Sequence, residues 1–293
     1  MSAPTPLRAE RPKLVHTAHE LRAGVRAARA AGRMIGLVPT MGALHEGHLS
    51  LVRASQAEGG FTIVTIFVNP TQFGPHEDFD KYPRTLPADL EALASCRADL
   101  VFAPSREAMY PAGCSTFVEP PRVGQRWEDD CRPGHFRGVA TVVLKLFHLA
   151  QADVAFFGQK DYQQAAVVRR MVQDLNVPIE IRVCPTVREP DGLAMSSRNR
   201  YLSADQRQQA LAISRSLRLA DQLAASGERQ AARLVEAMQR VLAEAQIRRI
   251  DYVAVVDPET LEPVSELAGP VMALIAAKVG TTRLIDNWRI ETP

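Results

Sequence analysis

Long apolar runs, paired cysteines and a dominant sign of charge are all missing from this chain, and each absence removes a class of protein. No run approaches ~18 apolar residues, the length a bilayer-crossing helix needs, so no membrane partner is expected. The four cysteines, Cys96, Cys114, Cys131 and Cys184, show no CxxC spacing; neither a zinc site nor a disulfide framework is expected. A net charge of +2 is too mild to imply nucleic acid, and basic pairs such as Arg169-Arg170 and Arg248-Arg249 read as solvated helix or strand ends. Met1 to Lys13 carries prolines and charges rather than the apolar stretch of a signal peptide, which makes a cytoplasmic location the expectation. Repeats and low-complexity tracts are missing too. What is present is a chain of 293 residues, 46% hydrophobic, able to bury a large core and long enough for two domains.

Through the first two thirds, β-branched apolar runs alternate with helical patterns. Strands are expected at Ile35 to Val38, Thr62 to Val68, Leu100 to Ala103, Val154 to Phe157 and Ile179 to Val183. Helices are expected between them, at His48 to Glu58, Pro87 to Ser95, Val139 to Ala150 and Tyr162 to Leu175. Such alternation implies right-handed crossovers and a parallel sheet, hence an α/β, doubly wound (Rossmann-like) domain over residues 1–185. Pro185 to Arg200 is a loop rich in proline, glycine, serine and charge. Beyond it, Ser203 reads as an N-cap, a second helix spans Glu228 to Ala245, and strands follow at Tyr252 to Val256, Val271 to Ala277 and Thr282 to Ile285. Residues 186–293 therefore read as a second, smaller α+β domain, hinged at the loop and able to close over the first.

Ligands of a doubly wound sheet bind at the carboxyl ends of its strands, and the chemically loaded segments of this chain follow strands. Thr40-Met41-Gly42-Ala43-Leu44-His45-Glu46-Gly47-His48 sits at a strand-to-helix turn, where free N–H groups favour phosphate and Gly47 permits close approach. His45 and His48 share a helix face; the spacing lacks the i, i+4 pattern of a zinc helix, and the alternative is a pair of capping or surface histidines. His16, His19, His76 and His148 have no such context. Gly158-Gln159-Lys160-Asp161 follows another strand, offering a compact cation for phosphate, while Asp161 either orients ribose hydroxyls or caps a helix. The amides of Gln72, in Asn69-Pro70-Thr71-Gln72-Phe73, and of Gln164 suit hydroxyls and carboxylates. Arg132 to Gly138 either binds an anion or is a solvated connection, with His135 undecided. Met195-Ser196-Ser197-Arg198 supplies hydroxyls and a guanidinium fit for a leaving pyrophosphate.

Thr40 to His48 resembles the HxGH signature of the nucleotidyltransferase superfamily, and the whole chain resembles the pantothenate synthetase family. Phe67 to Phe73, Asp80 to Thr85, Arg132 to Gly138, Phe157 to Asp161 and Arg188 to Asn199 carry that resemblance, in order along the chain. It implies ATP-dependent ligation of pantoate and β-alanine to pantothenate through a pantoyl adenylate, releasing AMP and pyrophosphate. It further implies that Met41, Gly42, Ala43, Leu44, His45, Glu46, Gly47 and His48 bind ATP, with His48 as proton donor to the phosphates. Gly158, Gln159, Lys160 and Asp161 would hold phosphate and ribose, Val187 and Met195 would lie near adenine, and Ser196, Ser197 and Arg198 on the triphosphate. Gln72 and Gln164 would hold pantoate, with Asn69 beside them and Tyr82 in a gating stretch. Mg²⁺ accompanying ATP and a homodimer are implied as well. Ser197 and Arg198 stand where the superfamily's general second signature has lysines, which counts against a tRNA synthetase. A nucleotidyltransferase acting on a phosphorylated acceptor would want a cationic acceptor pocket, unlike the neutral Gln72 and Gln164; a non-catalytic nucleotide-binding module would have no need of His48, Lys160 and Arg198 together.

Overall fold

The computed structural model describes residues 11–75 and 77–291; His76 is the one histidine outside the described residues. In chain order the elements are β1 (Lys13–Val15), α1 (Ala18–Ala30), β2 (Ile35–Thr40), α2 (Glu46–Ala57), β3 (Phe61–Ile66), α3 (Leu86–Ser95), β4 (Leu100–Phe102), α4 (Arg106–Met109), α5 (Glu128–Cys131), α6 (His135–Ala150), β5 (Val154–Gly158), α7 (Tyr162–Asp174) and β6 (Glu180–Cys184). The chain continues with α8 (Ala204–Ala225), α9 (Ala231–Glu244), β7 (Arg249–Val256), β8 (Val271–Val279) and β9 (Thr282–Ile290).

β1 to β6 form one sheet, every pairing parallel, in the order β1-β4-β3-β2-β5-β6. The chain travels outward from β2 through β3 to β4, then returns past β2 to add β5 and β6. Strand order thus reverses between β2 and β5, the place where such a sheet leaves a crevice beyond its carboxyl ends. The strands are apolar on both faces because helices cover both. On β2, Ile35 and Leu37 join one core cluster and Val38 the other; on β5, Ala155 and Phe157 join the first, Val154 and Phe156 the second. α1, α6 and α7 fill the first side, and α2 and α3 the second.

β7, β8 and β9 form a separate antiparallel sheet. α8 and α9 bury one of its faces with Ile213, Leu217, Leu234 and Met238 against Ala273, Ile275 and Leu284. Its other face meets the first sheet's layer, where Ala254, Val256, Met272 and Leu274 pack with Ala166 of α7. Polar ties reinforce this contact: Arg283 of β9 pairs with buried Glu128 of α5 at 2.6 and 2.9 Å, and Tyr252 donates to the same carboxylate at 2.8 Å. Burial alone would raise the Glu128 carboxyl, but Arg283 and Arg132 hold it down at about 2. The fold is therefore Rossmann-like α/β with a smaller α+β unit behind it.

Several boundaries differ from the sequence reading. The helix expected from Val139 begins at His135, because Gly134 takes a left-handed φ of 82° and turns the chain into the helix four residues early. Arg137 and Gly138 are consequently helical rather than part of a loop. The helix at His48 begins at Glu46, with His45 extended as N-cap, and β9 runs five residues past Ile285. β1 and α1 were not anticipated, although Thr17 and Glu20 form a capping box that was readable in the sequence. The segment after β6 is not an open loop: Arg188 and Ala194 form an antiparallel bridge, and Arg207 of α8 ties down both Glu189 and Asp191 at 2.6 Å.

Candidate functional site

The turn leaving β2 is held from below by a carboxylate that the sequence reading passed over. Asp89 of α3, 3% exposed, accepts the backbone N–H groups of Ala43 at 3.1 Å and Leu44 at 2.8 Å. The Gly42 N–H meets the Thr40 hydroxyl, and the His45 N–H donates to Nδ1 of His48 at 3.3 Å. Most amides expected to be free for phosphate thus have partners already. Those of Met41, just past β2, and of Glu46 and Gly47, at the first two positions of α2, remain.

The bond to His48 determines what that ring can do. An Nδ1 that accepts leaves the proton of a neutral imidazole on Nε2. Burial, then His45, then Lys160 lower the His48 pKa to about 3; burial and then Lys160 lower that of His45 to about 4. The rings lie 4.1 Å apart, centroid to centroid, and neither can carry charge at neutral pH. In the ligand-free protein His48 is therefore a neutral ring whose one N–H, on Nε2, is free to donate.

Beyond β5, Lys160 stands 3.6 Å from the carboxylate of Asp161. Asp161 occupies the N-cap position of α7 but makes no side-chain cap bond, so its carboxylate is not used by the helix. Between β3 and α3, Asn69 is fully buried and its Oδ1 accepts from Thr71 N, Thr71 Oγ1 and Tyr110 OH at 3.3, 3.0 and 2.9 Å. Three donors on one oxygen turn the Asn69 amide group toward Gln72, where Nδ2 donates to Oε1 at 3.1 Å. Gln72 thereby presents its Nε2 donors outward, with only the weak acceptor Met41 Sδ nearby at 3.2 Å.

The third wall comes from the segment after β6. Ser196 caps a short turn by accepting the Arg198 N–H, Ser197 is buried, and Arg198 makes a bidentate pair with Asp78 at 2.9 and 3.1 Å. Arg132 is neither a free anion site nor solvated: it binds Glu77 at 2.5 and 2.8 Å. His135, undecided from sequence, is buried between Arg132 and the Gln72 carbonyl at 3.1 and 2.8 Å. Arg132 and Arg198 thus hold consecutive residues of the stretch leading to Tyr82. Tyr82 is 5% exposed, and burial pushes its phenol above the ordinary value.

These three walls enclose a cavity of about 190 Å³. Met41, His45, Gly47, His48, Asn69, Gln72, Tyr82, Gly158, Lys160, Asp161, Gln164, Val187, Met195, Ser196, Ser197 and Arg198 all line it. Gly42, Ala43, Leu44, Glu46 and Gln159 do not: Ala43 is buried in the turn, Glu46 pairs with Arg53 on the surface, and Gln159 points to β9. Missed by the sequence reading were Thr186 and an apolar wall from α6 and β5, formed by Val139, Val142, Val143 and Phe157. His45 Nδ1 and Thr186 Oγ1 are buried without a protein partner, as polar atoms that serve a ligand would be. A larger cleft of about 860 Å³ between the two sheets meets this cavity at Lys160, Asp161, Gln164, Ser196 and Arg198.

A crevice at the strand-order switch, walled by neutral imidazoles, fixed cations and oriented amides, defines the class: a Rossmann-like α/β enzyme of the nucleotide-using kind. Residues 13–289 match the family described as pantoate-beta-alanine ligase. A pantothenate synthetase from Acidobacterium capsulatum is 58% identical over 262 residues, 89% of this chain and 88% of its own. The crystal structure of the pantothenate synthetase from Thermus thermophilus superposes with a TM-score of 0.90 at 45% identity, covering 94% of this chain and 98% of that one. That of the Francisella tularensis pantoate-beta-alanine ligase, complexed with β,γ-ATP and β-alanine, does so with a TM-score of 0.76 at 33% identity, covering 94% and 97%. The chain belongs to the pantoate–β-alanine ligase family, and it is an ATP-using ligase. Among the described residues no helix is long and apolar enough to cross a membrane.

Proposed function

We propose that the cavity between β2 and β5 carries out the ligation of pantoate with β-alanine in two stages. A pantoate carboxylate oxygen attacks the α-phosphorus of ATP, and the bond to the bridging oxygen breaks, so that pyrophosphate leaves with the electron pair. The amine of β-alanine then attacks the acyl carbon, the bond to AMP breaks, and the nitrogen gives up a proton as the amide forms.

The observation that carries this reading is the meeting, in one cavity, of two segments about 150 positions apart, Met41–His48 and Met195–Arg198, with Lys160 between them. His48 Nε2–H, Lys160 and Arg198 would stabilise charge growing on the phosphates, with His45, Ser196 and Ser197 beside them; such electrostatic stabilisation is the largest contribution in reactions of this kind. Met41, Gly47, Gly158, Asp161, Val187 and Met195 would hold the nucleoside. The outward Nε2 of Gln72, with Gln164, would bind pantoate's carboxylate and hydroxyls, and Val139, Val142 and Val143 would receive its two methyl groups. Tyr82 would help keep water from the adenylate until the amine arrives.

Among the described residues no group of three or more His, Cys, Asp or Glu is placed to hold a metal. Mg²⁺ would accordingly arrive on the triphosphate and offset its charge, as is usual for this ion. Residues 186–293 are proposed to act as a lid domain over residues 1–185, and the enzyme to work as a cytoplasmic homodimer, as the family resemblance implies; sedimentation would test the assembly. The deciding experiment is pantoate-dependent exchange of labelled pyrophosphate into ATP. Lys160→Ala should reduce exchange by roughly 10²–10³ at near-unchanged melting temperature, the loss typical for one well-placed donor. A variant retaining full exchange removes Lys160 from the chemistry.

A further inference from the structure

Asn287 lies in β9, the last strand of the second sheet, and is 2% exposed. Its side chain leaves that sheet and reaches the turn after β5. Nδ2 donates to the carbonyl oxygens of Gln159 at 2.8 Å and Lys160 at 2.9 Å, and Oδ1 accepts from Gln159 Nε2 at 3.4 Å. Both hydrogens on the Asn287 amide therefore go to the two peptide units that flank the α-carbon of Lys160. The neighbouring residue holds the opposite side of the crevice. Asp286, also buried, binds Arg188 in a bidentate pair at 2.7 and 3.0 Å, and accepts the N–H of Asn287 at 2.8 Å.

This arrangement exceeds what packing of the second sheet needs. The sheet already docks through its apolar face and through Arg283 on Glu128. The carbonyls of a turn between a strand and a helix are ordinarily met by water or by local backbone N–H groups, and here a single buried amide from another sheet donates to both. Lys160 is a long, flexible side chain, and the aim of its ammonium group depends on its backbone. We propose that Asn287 is a positioning residue for the adenylation step, clamping the Gln159-Lys160 turn so that the Lys160 ammonium is held at the developing charge on the phosphates. The proposal rests on the role given above to Lys160. It ties the chemistry to the seating of the second sheet: when β9 lifts from the turn, Lys160 loses its support.

The test is a double-mutant cycle in the pantoate-dependent exchange assay. Asn287→Asp keeps the shape but sets an acceptor against two carbonyls, and Asn287→Ala removes the clamp. Each should lower kcat for exchange between about 10- and 100-fold, the scale of an ångström-sized misplacement. KM for pantoate should stay within about 3-fold, since Gln72 and Gln164 do not touch this clamp. In the Lys160→Ala background either substitution should lower the residual kcat by less than about 3-fold, because the group being aimed is gone. If Asn287→Ala proves too unstable to purify, Asn287→Ser, small and with one donor, enters the same cycle. Undiminished exchange in the Asn287 variants, or an undiminished loss in the Lys160→Ala background, would overturn the clamp. Full exchange in Lys160→Ala alone would overturn the underlying role of Lys160, an outcome read from a separate protein.

Discussion

His48 has its proton on Nε2 and its pKa near 3, and this assignment can be tested by pH and by substitution together. In the unfolded chain the ring would titrate at 6.5. Its folded pKa is depressed, so on acidification the unfolded state takes up a proton that the folded state refuses, and stability falls as pH drops below 6.5 toward the folded value. The slope is about 1.4 kcal/mol per pH unit, which reaches on the order of 2 kcal/mol by pH 5. His48 is part-buried rather than fully enclosed, and solvent screening makes that figure an upper bound. Long-range ¹H–¹⁵N spectra of the ligand-free protein should show a neutral Nε2–H tautomer for His48, unchanged between pH 8 and pH 5. Melting temperatures should fall over the same range, and less steeply in His48→Gln. Kinetics provide the second arm. A glutamine places an amide donor near the position of Nε2, so His48→Gln should keep exchange within about 10-fold, whereas His48→Ala should lose roughly 10²–10³. An imidazolium signal above pH 6, or equal losses in the two variants, would refute the neutral-donor role.

Four other consequences follow from packing and pairing. In Gly138→Ala the new methyl would lie 2.3 Å from the Thr71 carbonyl oxygen and 2.7 Å from the Gln72 α-carbon; KM for pantoate should rise at least about 10-fold and stability fall by about 1–3 kcal/mol in calorimetry. Gly158→Ala meets nothing within 4 Å, so it should melt like the parent and lose only affinity for ATP in equilibrium binding. Arg283→Met leaves Glu128 buried with its main partner gone, at a cost of about 3–5 kcal/mol in urea unfolding, and adding Glu128→Gln should restore much of it. Asp89→Asn turns a donor toward the Ala43 or Leu44 N–H and should weaken exchange together with stability, by about 1–3 kcal/mol in the latter.

The sequence by itself determined the alternation of strands and helices, the chemically loaded strand ends and the neutral amides, because periodicity and turn chemistry are local. His45, His48, Lys160, Gln72 and Arg198 were legible from their own segments. Even so, α1 lies outside the expected helices despite its capping box, and α6 starts four residues before its expected position because nothing local marks Gly134 as left-handed. Only the tertiary structure decided how those residues are held. Asp89, Asp78, Glu77 and Asn287 are ordinary polar residues in their own segments, and each acquires meaning from a partner 46, 120, 55 or 127 positions away. The same holds for the free amides of the β2 turn, whose number depends on a carboxylate arriving from α3. Side-chain type is written in the chain; which buried donor finds which acceptor depends on a sheet order that brings β2, β5 and β9 to one place.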